Sequence, residues 1–518
     1  MQPISTKFNL HSKAGRAYAP LLSLLLLAPA LAAAGQQSAR PNWQSAQSSF
    51  GGGAVSIQQM AQPAGTGLLS TSTQLRVVGP YRQSVVLADE AAGKRTLTIE
   101  RALELALRAN LGPITAQAQA AQAAGGAMAA RSALLPQVNG VLSENIEKVS
   151  LTSEGFSAST LGSIGANFPA AIGPFHFYTA QVNVQQSGFD LVAWRNFASA
   201  KASAKATKAA ALDAREQLAL AVAGSYLNVM AAESLVASQA AQVKSAQSVC
   251  DQAEARFRAG SAAEIEANRA RVQLETEQQR LLADEEQLVK LKMTLARIIG
   301  WKADAEFEIS EQLPSSAVEL ETLDQAYAGI DARQDLAALR LQLEAATQAV
   351  KATTAEYLPT AAVSSGYGLQ GTNPNGGVAV YNMTASLSIP IFNGRRTKAD
   401  ITQAQATLKL RQQELEAATE QARADIRTAW LDSDLAQHQV ALAQANQKLA
   451  EKNLTQSSDR FSAGATDSVE VVQAEQSLAA ANNDLISAQY SAKLARLNLA
   501  RSMGLAEKQL PQILKGSN

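Results

Sequence analysis

Between residues 381 and 389 apolar and polar side chains alternate without error. Tyr381, Met383, Ala385, Leu387 and Ile389 fall on one side, and Asn382, Thr384, Ser386 and Ser388 on the other. A period of two is that of a β-strand with one apolar and one polar face. Residues 180–185 alternate in the same way. Val363, Ser365, Tyr367 and Leu369 alternate with Ser364, Gly366 and Gly368, and residues 138–149 follow a looser version. The polar faces carry Asn, Gln, Ser and Thr with little charge, which suits a water-filled lumen behind a lipid-facing surface. A soluble, half-buried sheet would alternate identically, and the strands alone favour it; export without an apolar spanning helix, with long helices fused to the strands, turns the reading to a membrane barrel.

The remaining pattern is helical and very long. Continuous helices are expected at roughly 192–259 and 394–463, each stopped by a glycine, Gly260 or Gly464, suited to the left-handed C′ position. A returning helix then runs to Ile299 or Met503. Shorter helices at 114–134 and 334–356 end before Pro136 and Pro359, since proline lacks the amide donor and clashes with the preceding turn. At about 1.5 Å per residue each long helix spans on the order of 100 Å. A helix of that length needs partners along its whole extent, as in a coiled coil.

The two sets of elements are copies of each other. "RFRAGSAAEIEANRARVQLE" from Arg256 aligns without a gap with "RFSAGATDSVEVVQAEQSLA" from Arg460. Phe257 pairs with Phe461, Gly260 with Gly464, Glu266 with Glu470 and Leu274 with Leu478. The match continues to Gly300 and Gly504. Upstream, "LLPQ" at 134–137 echoes "YLPT" at 357–360, and Phe189 echoes Phe392. The chain therefore divides into a first repeat at 95–319 and a second at 320–505. Each contains a helix, a β-hairpin and a long helical hairpin. Residues 35–94 form a Ser/Gln/Gly-rich low-complexity extension, and 506–518 a C-terminal tail.

Composition adds limits. Aromatics are only 5% of the 518 residues, too few for several ordinary globular cores. Basic and acidic residues balance at 45 each and no basic block occurs, so nothing suits nucleic acid. Lys7, Lys13 and Arg16 precede the apolar stretch Leu21 to Leu31, with small residues at Ala30, Ala32 and Ala34. That order predicts a cleaved signal peptide over 1–34. No cysteine follows it, so no cysteine-linked lipid anchor is expected, and Cys250 alone cannot form an internal disulfide. Enzyme chemistry has no visible seat. His11, His176 and His438 are scattered, "AAGKRT" at 91–96 lacks the earlier glycine of a phosphate-binding loop, and no nucleophile elbow occurs. No cofactor or metal is expected.

Two hairpins give four strands, and four strands leave open edges that a bilayer does not tolerate. Single-chain membrane barrels begin near about eight strands. Several copies must then share one barrel.

At this point the chain resembles the outer membrane efflux protein family, the TolC-like outer membrane factors, over about residues 97–505. "LTIERALELALRANLGP" at 97–113 is similar to the family's opening signature, with Leu111 and Gly112 intervening between Asn110 and Pro113. "SIPIFNGRR" at 388–396 resembles the family's strand-to-helix junction, here Pro390, Phe392, Gly394 and Arg395; the first copy keeps a degraded form, "SGFDLVAWRN". "RFRAG" and "RFSAG" resemble its helical hairpin tips. The resemblance implies a mainly α fold with a β-barrel part. Four strands from each chain of a homotrimer would close a twelve-stranded transmembrane barrel in outer-membrane lipid, continued by a helical tunnel in the periplasm. It implies partners as well: a periplasmic adaptor and an inner-membrane pump of RND or ABC type. The function implied is a passive exit duct of a tripartite efflux pump for small molecules. The duct of a type I protein secretion system remains an alternative, as does a non-channel periplasmic coiled-coil protein.

The family's entrance carries acids shortly after the second tip glycine. That position falls on Glu470, with Gln473 at a second, Glu266 as the first-copy equivalent, and Asp467 and Glu264 nearby. Repeated around a symmetry axis, such carboxylates would form a cation-attracting ring. As ordinary helix residues they would instead sit where first turns favour acids. The tips, Arg258, Gly260, Ala262, Ser462, Gly464 and Thr466, are candidate adaptor contacts. Thr466 stands where some members carry a basic gate residue.

Overall fold

The structure is a computed structural model describing residues 55–61, 71–77, 79–87, 95–150, 171–310, 320–373, 375–466 and 468–515. All lie in one unit, Gly51–Asn518. The expected signal peptide and Asp467 fall outside the described residues.

Each repeat opens with two helices that lead into a hairpin. In the first, α1 (Ile99–Ala109) and α2 (Leu111–Ser132) lead to β4 (Gln137–Ser150) and β5 (Ala171–Phe189). The long helix α3 (Leu191–Arg258) and the returning α4 (Glu264–Ile299) follow. In the second, α5 (Leu323–Ala328) and α6 (Gln334–Ala355) lead to β7 (Thr360–Gly371) and β8 (Val378–Ser388), then α7 (Arg396–Ser462) and α8 (Ser468–Ser502). Helices dominate, and the long ones break at the expected tip glycines.

The four long strands form a single antiparallel sheet in the order β4-β5-β7-β8. Pairing of β5 with β7 joins the two repeats and leaves β4 and β8 as edges. The register sorts the faces. Tyr367 lies between Val182 and Tyr381, and Gly366 between Asn183 and Asn382. One face therefore shows Val182, Tyr367, Tyr381 and Met383, all exposed. The other carries amides, with Gln181 Nε2 donating to Asn382 Oδ1 at 3.3 Å across the strand between them. A side chain at Gly366 would collide with Gln181, Asn183 and Asn382, so glycine there lets the amides meet.

The main core lies at mid-height of the helices. Leu218, Val222, Tyr226, Leu227 and Met230 of α3 pack with Ile99 and Leu105 of α1, Leu295 and Ile299 of α4, and Leu497 of α8. By length and hydropathy α3 could cross a membrane, yet 67% of its most apolar window is buried here, as core. Asn110 ties this region together. Fully buried, it donates through Nδ2 to the carbonyl of Tyr81 (2.8 Å) and accepts at Oδ1 from Gly112 N (2.9 Å), capping α2. This gives the Asn of the opening signature a physical role.

Two segments carry more structure than their composition suggested. Within the extension, β1 (Val55–Ala61) and β2 (Thr71–Val77) pair as a hairpin, and Gly79–Arg82 forms a 3-10 turn with Tyr81 buried. Further on, β3 (Arg95–Leu97) pairs in parallel with β6 (Phe307–Ile309). The segment expected as a C-terminal tail is instead a helix, α9 (Ala506–Lys515). Leu510, Ile513 and Leu514 fall on one face and join the main core. Glu507 accepts from Arg215 at 2.5 Å.

Candidate functional site

The two hairpin tips are built by the same local chemistry. Gly260 and Gly464 have φ of 72° and 75°, the left-handed region where glycine carries no Cβ penalty. Gly260 N donates to Phe257 O and Ser261 N to Arg256 O, at 2.9 and 3.0 Å. In the second tip Gly464 N donates to Phe461 O and Ala465 N to Arg460 O, at 3.0 and 2.9 Å. These paired bonds satisfy the last carbonyls of each long helix and turn the chain back. Arg258 ends α3 and is exposed, as is Ser462, whose hydroxyl donates to Asp459 O at 2.8 Å. Ala262 and Thr466 are half-buried.

The acids lie in the first turns of the returning helices. Glu264 and Glu266 begin α4, and Glu470 begins α8. Their surroundings differ. Glu470 is held by three neighbours: Arg460 Nη1 lies 3.1 Å from Oε1, Thr466 Oγ1 donates to Oε2 at 2.6 Å, and Ser457 Oγ donates to Oε1 at 3.3 Å. Glu470, Arg460 and Ser457 line an open groove on the second hairpin together with Gln473, Ala474, Asn453 and Ser477. Gln473, on the position of a second acid, is uncharged and exposed in that groove. Within one chain Arg460 offsets the charge of Glu470, so Glu470 is a partnered carboxylate.

Sequence reasoning passed over the arginines. Arg256 does not fold back on Glu266. It reaches across to the second hairpin, donates to the carbonyl of Phe461, and its guanidinium stands 4.1 Å from the centre of the Phe461 ring. Phe461 is buried there with Val249, Ala253, Ala270 and Val471. The duplicated Arg-Phe pair before each tip glycine was the available signal.

At the opposite end of α7 the strand-to-helix junction is made by Gly394 and Arg395, with φ of 64° and 66°. Two successive left-handed residues turn the chain from strand into helix. Asn393 then donates to Thr397, whose hydroxyl donates to Glu356 at 3.2 Å. Pro390 and Phe392 lie on the strand side, with Ile391 and Phe392 95% and 85% exposed, an apolar collar at the end of the sheet. The first copy lacks this device and uses Asp190, whose Oδ1 accepts from Ala193 N at 2.8 Å as an N-cap of α3. Among the described residues no group of three His, Cys, Asp or Glu side chains is placed to hold a metal. Among the described residues His176 contacts one carboxylate, Glu144, at 2.7 Å. Cys250 is buried in the tip core, out of reach of external oxidants or partners. The site's parts are charged, amide and apolar contacts.

The sequence model of the outer membrane efflux protein family matches residues 103–301 and 328–505, the two repeats. The chain belongs to this family. The pyoverdine export outer membrane protein OpmQ of Pseudomonas aeruginosa is 28% identical over 417 residues, covering 76% of this chain and 82% of OpmQ. Two solved structures share the fold. The outer membrane protein VceC of Vibrio cholerae has 20% identity and a TM-score of 0.66, covering 78% of this chain and 96% of VceC. The open-state outer membrane channel MtrE of Neisseria gonorrhoeae has 16% identity and a TM-score of 0.66, covering 88% and 99%. As an outer membrane efflux protein, this chain has relatives that are channels rather than enzymes.

Proposed function

We propose that three copies of this chain close a barrel and tunnel through the outer membrane and periplasm. The assembly would serve as the passive exit duct of a tripartite pump that expels small molecules. The observation that carries the reading is an asymmetry between the duplicated halves. Leu227 of α3 and Leu497 of α8 are fully buried against one core, where the first repeat meets the second. Their duplicates, Leu431 of α7 and Met293 of α4, are 53% and 42% exposed. Leu431, Leu435, Leu442 and Leu449 extend this bare seam along α7 at coiled-coil spacing, each more than half exposed.

One repeat interface is therefore made inside the chain, and the other is left for a neighbour. An interface of that head-to-tail kind closes into a ring where its rotation returns to the first copy, which is the closure proposed for three copies. The sheet agrees, since β4 and β8 are its two edges and a neighbour's β4 beside β8 would continue the ladder. Three copies of four strands give the twelve that the family resemblance implies. The apolar sheet face would then meet lipid and the amide face the lumen.

The tips face away from the sheet along the long helices, which makes them the docking end for a periplasmic adaptor and an inner-membrane pump. Export of pyoverdine by OpmQ, as its name states, supports a small-molecule cargo. The test places a photoreactive residue at Ala262 or Ala465 in whole cells and identifies captured partners. Capture of an adaptor together with a proton-driven pump is expected. Capture with an ABC transporter would move the reading to ATP-driven export or type I secretion. No adaptor captured, with the protein in the outer membrane, would refute the docking end.

A further inference from the structure

The hairpin tips are duplicates in sequence but not in environment. Phe461 is 1% exposed, seated among Val249, Ala253 and Ala270 of the first hairpin under Arg256. Phe257, its duplicate, is 43% exposed. The seat is duplicated too: Val249, Ala253, Arg256 and Ala270 align with Asn453, Ser457, Arg460 and Ala474. Those last four residues line the open groove of the second hairpin. Inside one chain, then, the first hairpin's seat holds a phenylalanine from the second. The second hairpin's seat stands open, and its arginine rests on Glu470.

We propose that this groove receives Phe257 of the neighbouring copy, with Arg460 swinging from Glu470 to stack on that ring and donate to the Phe257 carbonyl. The inference rests on the ring of copies proposed above. Its geometry is supplied by the intrachain contact, where the same residue types already make the same pair of interactions. An arginine over an aromatic face is attracted by the ring's quadrupole, and the Phe257 carbonyl, which already accepts from Gly260 N, has a second lone pair for the guanidinium, as the Phe461 carbonyl has for Arg256.

Two consequences follow. The seat between copies has Asn453 and Ser457 where the seat within the chain has Val249 and Ala253, so it is less apolar and opens first when the tips separate. Docking also takes Arg460 away from Glu470. Closure of the ring thereby takes the Arg460 counter-charge from one carboxylate per copy, which keeps its hydrogen bonds from Thr466 and Ser457, coupling subunit contact to entrance charge.

The test replaces Phe257, and separately Phe461, with benzoylphenylalanine in channels assembled from mixed light- and heavy-isotope chains. Position 257 is expected to crosslink to 453–474 of a different copy, giving mixed-isotope products. Position 461 is expected to crosslink to 249–270 of its own chain. A trimer by native mass in which position 257 crosslinks elsewhere would overturn the docking and leave the ring reading standing. A monomer by native mass would overturn both. A second readout needs no bulky residue. Phe257→Ala and Arg460→Ala should each raise single-channel conductance severalfold, and the double variant should rise no further than either. Additive increases, or no increase, would overturn the proposal.

Discussion

Replacing the four leucines of the bare seam, Leu431, Leu435, Leu442 and Leu449, with glutamine should dissociate the assembly without unfolding the chain's own core. These side chains are 53, 52, 67 and 61% exposed in the single chain. Fully burying a leucine is worth about 2 kcal/mol, so covering what remains bare adds about 1 kcal/mol each, or about 4–5 kcal/mol per interface. At about 1.4 kcal/mol per decade that is on the order of a thousandfold in the association of each contact. Glutamine keeps helix propensity close to that of leucine, so the change acts on the seam rather than on the helix. The assay is native mass spectrometry of detergent-extracted protein over a dilution series, with helix content followed by circular dichroism. Leu227→Ala is the contrasting case. Leu227 is fully buried inside the chain, and its truncation should cost roughly 2–5 kcal/mol of folding stability. Persistence of the four-glutamine variant as an assembly at wild-type dilution would refute the reasoning, because the seam would then face water in the working molecule.

Three further outcomes are expected. Glu470→Ala should lower cation selectivity and divalent-cation block in planar bilayers, and unchanged current–voltage curves would remove the entrance ring. Gly300→Ala should lower folding stability by about 3 kcal/mol through combined left-handed strain and overpacking, and outer-membrane yield with it. Gly300 has φ of 83°, and a Cβ there would lie 2.3 Å from Ala109 Cβ and 2.8 Å from Val85 O; unchanged melting would contradict this. Burial pushes the Glu475 carboxyl above its ordinary 4.5, opposed by the Ser245 hydroxyl and aided by the nearby charge of Glu277. A raised carboxyl favours the fold fully below pH 4.5 and loses that contribution as pH rises through its folded value. Glu475→Gln should therefore flatten the fall in melting temperature between pH 4.5 and neutrality, and an unchanged slope would contradict it.

The long helices were legible because their stops are chemical. Gly260 and Gly464 admit the left-handed turn that ends each long helix, and Pro136 and Pro359 bar the shorter helices before them from continuing. The strands were legible because register carries their alternation intact, with Tyr367 opposite Tyr381 and Gly366 opposite Asn382. Segments whose signal is short were not. The α9 stripe of Leu510, Ile513 and Leu514 is one turn of pattern interrupted by Pro511, too little to separate a docked helix from a tail. Likewise β3 and β6 are three residues each, and their pairing is fixed by the core around Leu97 and Phe307 rather than by their own sequence. At the tips the positions of Glu470 and Glu266 followed from alignment, but their partners did not. Identical Arg-Phe pairs take different contacts because only Arg256 finds the other repeat within its own chain. Sequence duplication shows that two sites are alike; it does not show which of them a single chain can complete.

The central claim is a closed ring of copies, and its most direct test is the mass of the particle extracted from the outer membrane under native conditions. Three chains per particle is the result expected, with the photo-linked tips joining different copies. A single chain, or a ladder of particles growing without a preferred number, would contradict the closed barrel and with it the exit-duct reading.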